Sequence, residues 1–289
     1  MSDPVPAPAQ ADFSLLLPVY AGDDAGFLRL AFESSVDRQT LRPAEAVIVQ
    51  DGPVPDALEA ELQRIEAESP IPVHLVRLLE NRGLTEALNR GLDACSYSVV
   101  ARMDADDVSR PQRFERQWDL LQGGYDLVGT GMEEFDADPD RPSALRTPPV
   151  GAQRIRDHAR THNPFNHPTM MYRVEALDRV GRYQAFGKME DYWLGIRIID
   201  SGARVENIAE PLLAYRVGAG AFARRGGWSE ARTEWRLQRE LLRMGFVTPA
   251  QYVRNVVMKG VYRLLPAGVK RVLFRGLIGG GLPGDRAAT

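Results

Sequence analysis

The sequence predicts an α/β fold: a mostly parallel central sheet flanked by helices, followed by a helical extension at the C-terminus. Three observations carry this. Apolar runs alternate with amphipathic stretches over the first 130 residues, at a period of roughly 35, enough for a strand, a crossover helix and the next strand. The apolar runs end in Pro, Gly or Asp turns, as strands do when they deliver loops to one edge of a sheet. Beyond residue 225 the pattern turns charged and helical.

Phe13–Tyr20 is the first expected strand, stopped by Pro18. Asp23 or Asp24 caps a helix through about Gln39, with Phe27, Leu28, Ala31 and Phe32 on one face. Ala46–Gln50 is the second strand, closed by Asp51-Gly52-Pro53, and Ala57–Glu68 an amphipathic helix. Val73–Leu78 reads as a strand, and Asn81-Arg82-Gly83 opens the helix Leu84–Ala94. The β-branched pair Val99-Val100 then leads into Asp104, Asp106 and Asp107. Ser109 and Gln112 are spaced as a capping box, with Pro111 in the first turn of a helix through Leu121. Asp126–Gly131 is the next strand.

Asp136–Val150, rich in Pro and Asp, is expected as a loop between subregions. A helix near Gln153–His162, a strand at Thr169–Arg173 and a short helix Val174–Val180 follow. Glu190–Asp200 is helical by its 3.6-residue apolar spacing, and Val205–Ile208 and Leu212–Tyr215 form two short strands. Trp228–Met244 is a charged helix. Residues 252–278 form a basic amphipathic pair broken at Pro266, suited either to the membrane interface or to packing on the body with a solvated basic face.

Composition narrows the function. At 289 residues with 44% hydrophobic content, the chain can bury a sizeable core. Cys95 is the only cysteine, which excludes an intrachain disulfide and points to a reducing, cytoplasmic setting. Residues 1–12 read as a disordered leader without the pattern of a signal peptide, and no apolar run is long enough to span a bilayer. From Gln251 onward seven basic residues stand against one acid, a net +6, so with the total at −3 the preceding 250 residues carry −9. An acidic body with a basic end argues against nucleic acid as partner and for an anionic surface at the tail, such as the inner face of the plasma membrane.

Asp104 and Asp106 are two apart and project to one side if strand geometry persists that far. Paired hard oxygen ligands suit Mg²⁺ or Mn²⁺ on a diphosphate, though the same residues could serve as turn and cap aspartates. Arg102 beside them could contact a phosphate or balance charge. Asn81-Arg82-Gly83 lies where a strand meets a helix N-terminus, a place that favours anions. Asp51 could accept a hydrogen bond from a base or ribose, and Tyr20 could stack on a base. Glu190-Asp191 starts a helix, where the dipole alone favours acids; beside Trp193 and Met189 one of them could act as a general base. His167 is a candidate phosphate or metal contact. No hydrolase nucleophile elbow, phosphate-binding P-loop or dinucleotide fingerprint is present.

These residues resemble family 2 glycosyltransferases of the GT-A fold, in particular the bacterial exopolysaccharide and capsule subgroup of the amylovoran-biosynthesis type. The resemblance runs through Leu17-Pro18-Val19-Tyr20, Val47-Ile48-Val49-Gln50-Asp51-Gly52-Pro53, Glu80-Asn81-Arg82-Gly83-Leu84 and Ala101-Arg102-Met103-Asp104-Ala105-Asp106-Asp107. It continues through Asn163-Pro164-Phe165, His167-Pro168-Thr169, Glu190-Asp191-Tyr192-Trp193-Leu194 and Ala214-Tyr215-Arg216. It implies a GT-A domain over 13–225, with a nucleotide-sugar half at 13–131 and an acceptor half at 150–217, and an extension over 226–289. It further implies inverting transfer from a nucleotide-sugar donor, a UDP-sugar, to a glycan or lipid-linked saccharide acceptor. Pro18, Tyr20, Asp51, Asn81, Gly83, Arg102 and Asp104 would bind the donor. Asp106, with Asp104 and His167, would hold the divalent metal, and Asp191, with Glu190 beside it, would be the base. Two departures concern donor contacts: Ala21 stands where many relatives have Asn, and Gln50-Asp51-Gly52-Pro53 where many have Asp-Asp-Gly-Ser. The competing readings are a non-catalytic sugar- or lipid-binding member of an assembly complex, and a sugar nucleotidyltransferase. The latter usually needs a basic Gly-rich loop where Ala21-Gly22-Asp23-Asp24 is acidic.

Overall fold

A computed structural model of the chain describes residues 9–217 and 228–264. In chain order the elements are β1 (Ala9–Tyr20), α1 (Ala25–Val36), β2 (Leu41–Asp51), α2 (Asp56–Glu68), β3 (Val73–Arg77) and α3 (Leu84–Ala94). Then come β4 (Val99–Arg102), β5 (Val108–Ser109), α4 (Arg113–Gln122), β6 (Leu127–Phe135), β7 (Ala144–Arg146) and α5 (Ala152–Ala159). A 3-10 turn (His167–Thr169), β8 (Met171–Arg173), α6 (Val174–Arg179), α7 (Glu190–Asp200), β9 (Val205–Arg216), α8 (Trp228–Arg243) and α9 (Pro249–Leu264) complete the described chain.

One sheet runs in the order β3-β2-β1-β4-β8-β6-β9-β5, with β7 paired to β6. The ladders β3–β2, β2–β1, β1–β4 and β6–β9 are parallel, and β8 lies antiparallel between β4 and β6. Because β8 reverses direction twice over, β6 and β9 point the same way as the first four strands. The carboxyl ends of β1, β2, β3, β4, β6 and β9 therefore share one edge, where open α/β sheets bind ligands.

Alternation along β1 allots the helices to the two faces. Leu16 packs with Val47 and Val49 of β2 against Ala87, Leu88 and Leu92 of α3, in a cluster that also takes in α5, α6, α7 and α8. Phe13, Leu15, Leu17 and Val19 face the other way, onto Leu28 and Phe32 of α1, Leu58 and Leu62 of α2, and Phe114 of α4. Three consecutive leucines, Leu15 to Leu17, are thus fully buried, each on the order of 2 kcal/mol of apolar burial. A side chain at Gly91 would overlap Leu16 and Val49, so α3 lies directly on the sheet.

Several boundaries differ from the sequence reading. β1 begins at Ala9, inside the expected leader, because Ala9 to Ala11 pair with Leu41 to Pro43; residues 1–8 of that leader lie outside the described residues. Asp24, not Asp23, caps α1, its Oδ1 accepting from Gly26 and Phe27 N–H. The Ser109–Gln112 capping box does not form: Ser109 belongs to β5, paired with Leu213, and α4 starts at Arg113 with Pro111 outside it. The two strands expected at 205–208 and 212–215 are one strand, β9, with its register shifted beside Gly131. The Pro/Asp-rich connection contains β7, and Thr169 closes the 3-10 turn before β8.

In the C-terminal part, α9 starts at Pro249, and the expected second helix after Pro266 lies outside the described residues. The inner face of α9 is fastened to the body by Asn255, whose Nδ2 donates to Arg160 O (2.8 Å) and Gln238 Oε1 (3.0 Å). Its outer face exposes Val253, Val257 and Met258. Among the described residues no helix is long and apolar enough to cross a membrane.

Candidate functional site

The acidic residues after β4 meet in a way strand alternation did not foresee. β4 ends at Arg102, and Ala105-Asp106 forms a turn that delivers the chain to β5. That turn, not a two-residue strand repeat, brings ligand atoms of Asp104, Asp106 and Asp107 within 4.8 Å of one another. Asp107 is fully buried; its Oδ1 accepts the Arg216 N–H at 2.9 Å, and its Oδ2 has no hydrogen-bond partner among the described residues. Burial, with Asp104 adding to it, pushes the Asp106 carboxyl up to about 6. Burial and the same two neighbours hold Asp107 well above the usual carboxylate range. Three hard oxygen donors that repel one another, one with an orphaned buried oxygen, fit a divalent cation of the Mg²⁺ or Mn²⁺ kind.

A fourth carboxylate joins them that the sequence did not single out. Asp23, in the turn after β1, accepts the Tyr20 N–H at 2.9 Å through Oδ2. Burial pushes its carboxyl up to about 7, against the Tyr20 bond, with Asp106 and Asp104 adding to the rise. An aspartate in an Ala-Gly-Asp-Asp turn looks like an ordinary cap; only the parallel β1–β4 pairing sets it beside Asp106.

Arg102 does not present itself to solvent as a donor-binding residue would. It is 1% exposed, points into the face covered by α3 and α7, and pairs with Asp104. Its Nε and Nη1 are buried and find no hydrogen-bond partner among the described residues. Burial opposes its charge, but Asp104, then Tyr183 and Asp107, hold its pKa above the usual value. The same guanidinium acts on Glu190 and Asp191, lowering both, so it stands electrostatically between the two acidic groups of the site.

Glu190 and Asp191 open α7, as expected. Asp191 Oδ2 accepts from Asn163 Nδ2 at 2.7 Å, which fixes the carboxylate's orientation. Burial raises the pKa of Asp191 against the pull of helix amides, Arg102 and Asn163. Burial and Asp191 raise that of Glu190, whose Oε2 is buried without a hydrogen-bond partner among the described residues. Tyr183, which the sequence reading missed, is buried and feels the charge of both Asp191 and Asp104. Asn89 on α3 holds its loop in place: Asn89 Nδ2 donates to Tyr183 O (2.9 Å), and Tyr183 N–H to Asn89 Oδ1 (3.2 Å).

His167 stands apart from the carboxylate group. Its Nε2 is 3.1 Å from the Tyr183 hydroxyl, and burial, with Arg102 beside it, holds its pKa well below the usual imidazole value. Among the described residues the three aspartates form the group whose ligand atoms lie close enough to share an ion, and the expected ligand His167 is not one of that group.

Beside this lies the loop between β3 and α3. Asp51 is buried and gives its carboxylate to backbone: Oδ1 accepts from Arg82 N–H (2.6 Å) and Oδ2 from Gly83 N–H (2.8 Å). Asn81 Nδ2 donates to Asp51 O at 3.3 Å. Gly52, at φ +85°, lets this loop close, since a Cβ there would lie 2.5 Å from the Asn81 nitrogen. Gly83 (φ +84°) precedes the uncapped N-terminus of α3. Pro18 is inside β1, and Tyr20 at its end is 49% exposed. The expected donor-side residues thus gather at the shared carboxyl edge, but the contacts of Asp51 shape a loop before they could touch a nucleotide.

Comparison with known proteins accords with this architecture. The model of the Glycosyl transferase family 2 matches residues 14–181. The amylovoran biosynthesis glycosyltransferase AmsE of Erwinia amylovora is 34% identical over 91% of this chain and 97% of its own. A UDP-Gal:alpha-D-GlcNAc-diphosphoundecaprenol beta-1,3-galactosyltransferase of Escherichia coli is 29% identical over 96% of this chain and 98% of its own. Among solved structures, S. aureus TarS 1-349 in complex with UDP-GlcNAc superposes with a TM-score of 0.64 at 14% identity, covering 92% of this chain and 80% of that one. The mannosyltransferase PcManGT of Pyrobaculum calidifontis, in complex with GDP-Man and Mn²⁺, gives 0.59 at 16% identity, over 94% and 76%. The fold is that of the GT-A glycosyltransferases.

Proposed function

The chain belongs to glycosyl transferase family 2, and on that premise we propose that it moves a sugar from a UDP-sugar to a hydroxyl of a glycan or lipid-linked saccharide, with inversion, in cell-surface polysaccharide synthesis. That it is a glycosyltransferase follows from the family. The relatives named for amylovoran biosynthesis and for a diphosphoundecaprenol acceptor support the pathway and acceptor class, and those bound to UDP-GlcNAc or GDP-Man support the donor class.

The observation that carries the mechanism is the buried Arg102, which pairs with Asp104 beside Asp106 and Asp107 and whose charge also favours the ionised forms of Glu190 and Asp191. Asp106, Asp104 and Asp107 would hold a divalent ion, which supplies Lewis-acid stabilisation of the departing diphosphate. Asp191, oriented by Asn163, takes the proton from the acceptor hydroxyl as its oxygen attacks the anomeric carbon from the face opposite the diphosphate. Burial, with Asp191 adding to it, raises the neighbouring Glu190 carboxyl, while Asp191 is the carboxylate that Asn163 aims. Tyr20, Asn81 and the α3 N-terminus at Gly83 form the donor side, where backbone amides and the helix dipole favour an anion.

The outer face of α9, with Val253, Val257 and Met258, and the basic excess after Gln251 would place the protein peripherally on the inner face of the plasma membrane, beside a lipid-linked acceptor. Incubation with UDP-sugars, Mn²⁺ and a lipid-linked saccharide should release UDP in step with product. Acceptor-independent absence of turnover across a broad donor panel, with donor binding retained, would instead favour a binding module.

A further inference from the structure

Ala214-Tyr215-Arg216 is a motif to which the transfer reaction as drawn assigns no task. Its last residue ends β9, the strand that pairs with β5 through Val108↔Ala214 and Ser109↔Leu213. Both sides of the acidic turn are tied to the sheet. On the entering side, Met103 N–H donates to Leu16 O (3.0 Å) and Arg113 Nη2 to Arg102 O (2.6 Å). On the leaving side, Arg110 N–H donates to Leu212 O (3.0 Å). The apex, Asp106-Asp107, is met by Arg216. Its backbone N–H donates to Asp107 Oδ1 (2.9 Å) and its Nε to the Asp106 carbonyl (3.0 Å). The guanidinium lies between two rings, 3.7 Å from the centroid of Phe27 and 4.5 Å from that of Phe135.

We propose that Arg216 is a positioning residue for the metal site: through Nε it fixes the Asp106 peptide plane, and with it the directions in which the Asp106 and Asp107 carboxylates project. The inference rests on the reading of the three aspartates as the cation site. The bond from Nε is one that only arginine makes at this position. Its planar fork donates sideways while its faces stack on Phe27 and Phe135, whereas a lysine ammonium reaches past the carbonyl as a point charge. The sandwich between rings removes the rotamer freedom that would otherwise loosen such a long side chain. A peptide plane held in this way matters because a hard divalent ion tolerates little misplacement of its oxygens.

The sign of the effect distinguishes positioning from charge. Arg216 is a cation beside a cation site, so its removal, if it acted only through its field, would strengthen metal binding. Loss of the clamp weakens it. Mn²⁺ titration followed by electron paramagnetic resonance, on the full chain with UDP present, reads this without reference to transfer. Arg216→Met should raise the Mn²⁺ dissociation constant about tenfold, the scale seen when supporting contacts behind a metal ligand are removed. Arg216→Lys should stay close to Met, because it returns the charge without the Nε bond. Phe27→Leu, which removes one face of the sandwich at a partly exposed position, should weaken Mn²⁺ by roughly a few fold, short of that scale because the Nε bond itself remains, and serves if Arg216→Met does not fold. Arg216→Met binding Mn²⁺ as tightly as the unaltered protein, or tighter, would overturn the clamp and leave the metal reading standing, as would full rescue by lysine. An unaltered protein that takes up no Mn²⁺ with UDP would overturn the metal reading, and the clamp with it.

Discussion

Asp106→Asn should make the metal-free protein more stable, and increasingly so as pH rises. Asp106 is held at about 6 against an ordinary 3.8, because it is mostly out of water and faces Asp104. Between those values the native protein keeps a proton that the unfolded chain has lost, so stability falls as pH rises through the window. A shift of about two units corresponds to about 3 kcal/mol at pH 8, where both states are ionised, and to about 1 kcal/mol at pH 4.5. Solvent at the open side of the site screens part of this, so a gain of about 1–2 kcal/mol at pH 8 is the working figure. Asparagine removes the charge with little change of shape. Urea denaturation of chelator-treated protein at the two pH values measures the difference. Addition of Mn²⁺ at pH 8 should then reverse the order, since the unaltered site gains binding energy that the variant has lost. If the variant's advantage is the same at pH 4.5 and pH 8, the raised carboxyl is not the source and the reasoning fails.

Asp191→Asn should lower transfer by about two to four orders of magnitude, the usual range for loss of a general base, with donor affinity within a few fold; equal activity in stopped-time product assays would remove it from that role. The rate should climb with pH through a value above the ordinary carboxylate range, since burial raises both Glu190 and Asp191, and Asn163→Ala should move that limb upward by taking away a bond that favours the ionised form. A pH–rate profile unmoved by Asn163→Ala would count against it. Gly52→Ala should destabilise the fold by roughly 1–3 kcal/mol, because the position combines φ +85° with contact to the Asn81 nitrogen; thermal melts would show it. Replacing Val253, Val257 and Met258 together by serine should reduce sedimentation with vesicles of anionic lipid without altering the melting temperature, and unchanged partitioning would dismiss the membrane reading of α9.

The parts of the fold legible in the sequence are those set by local pattern. Strand and helix alternate with enough regularity that β1 to α4 could be located, and Asp104 to Asp107 could be placed at a strand end. What escaped depends on pairing between distant segments. Ser109 and Gln112 have the spacing of a capping box, but Ser109 gains more from a ladder with Leu213, some hundred residues later. Its N–H donates to Ser34 Oγ and its hydroxyl oxygen accepts from Arg113 Nη1, leaving nothing to cap α4. β5 and β7, of two and three residues, exist only because β9 and β6 are there to receive them. Asp23 and Tyr183 join the site through loops whose approach no motif records. His167 was read as a potential ligand from its type and neighbourhood, yet a buried tyrosine hydroxyl meets it first. Burial of Arg102 was similarly unreadable: strand alternation gives the face, but not that the face is sealed by α3 and α7.

One feature of the sheet limits how the two halves of the protein can move. β8 falls within residues 150–217, the stretch expected from the resemblance to be an acceptor half, yet it is hydrogen-bonded to β4 on one side and to β6 on the other. Tyr172 belongs to both ladders, opposite Val100 in one and Leu127 in the other. A cleft-closing rotation between halves, as two separately folded domains use, would have to shear these ladders and the buried Tyr172 with them. The distance between the aspartates after β4 and the carboxylates of α7 is therefore a property of a single stiff body. Substrates must enter and leave past its edge loops, and substitutions at the β4–β8 seam should change how fast the molecule turns over before they change what it recognises.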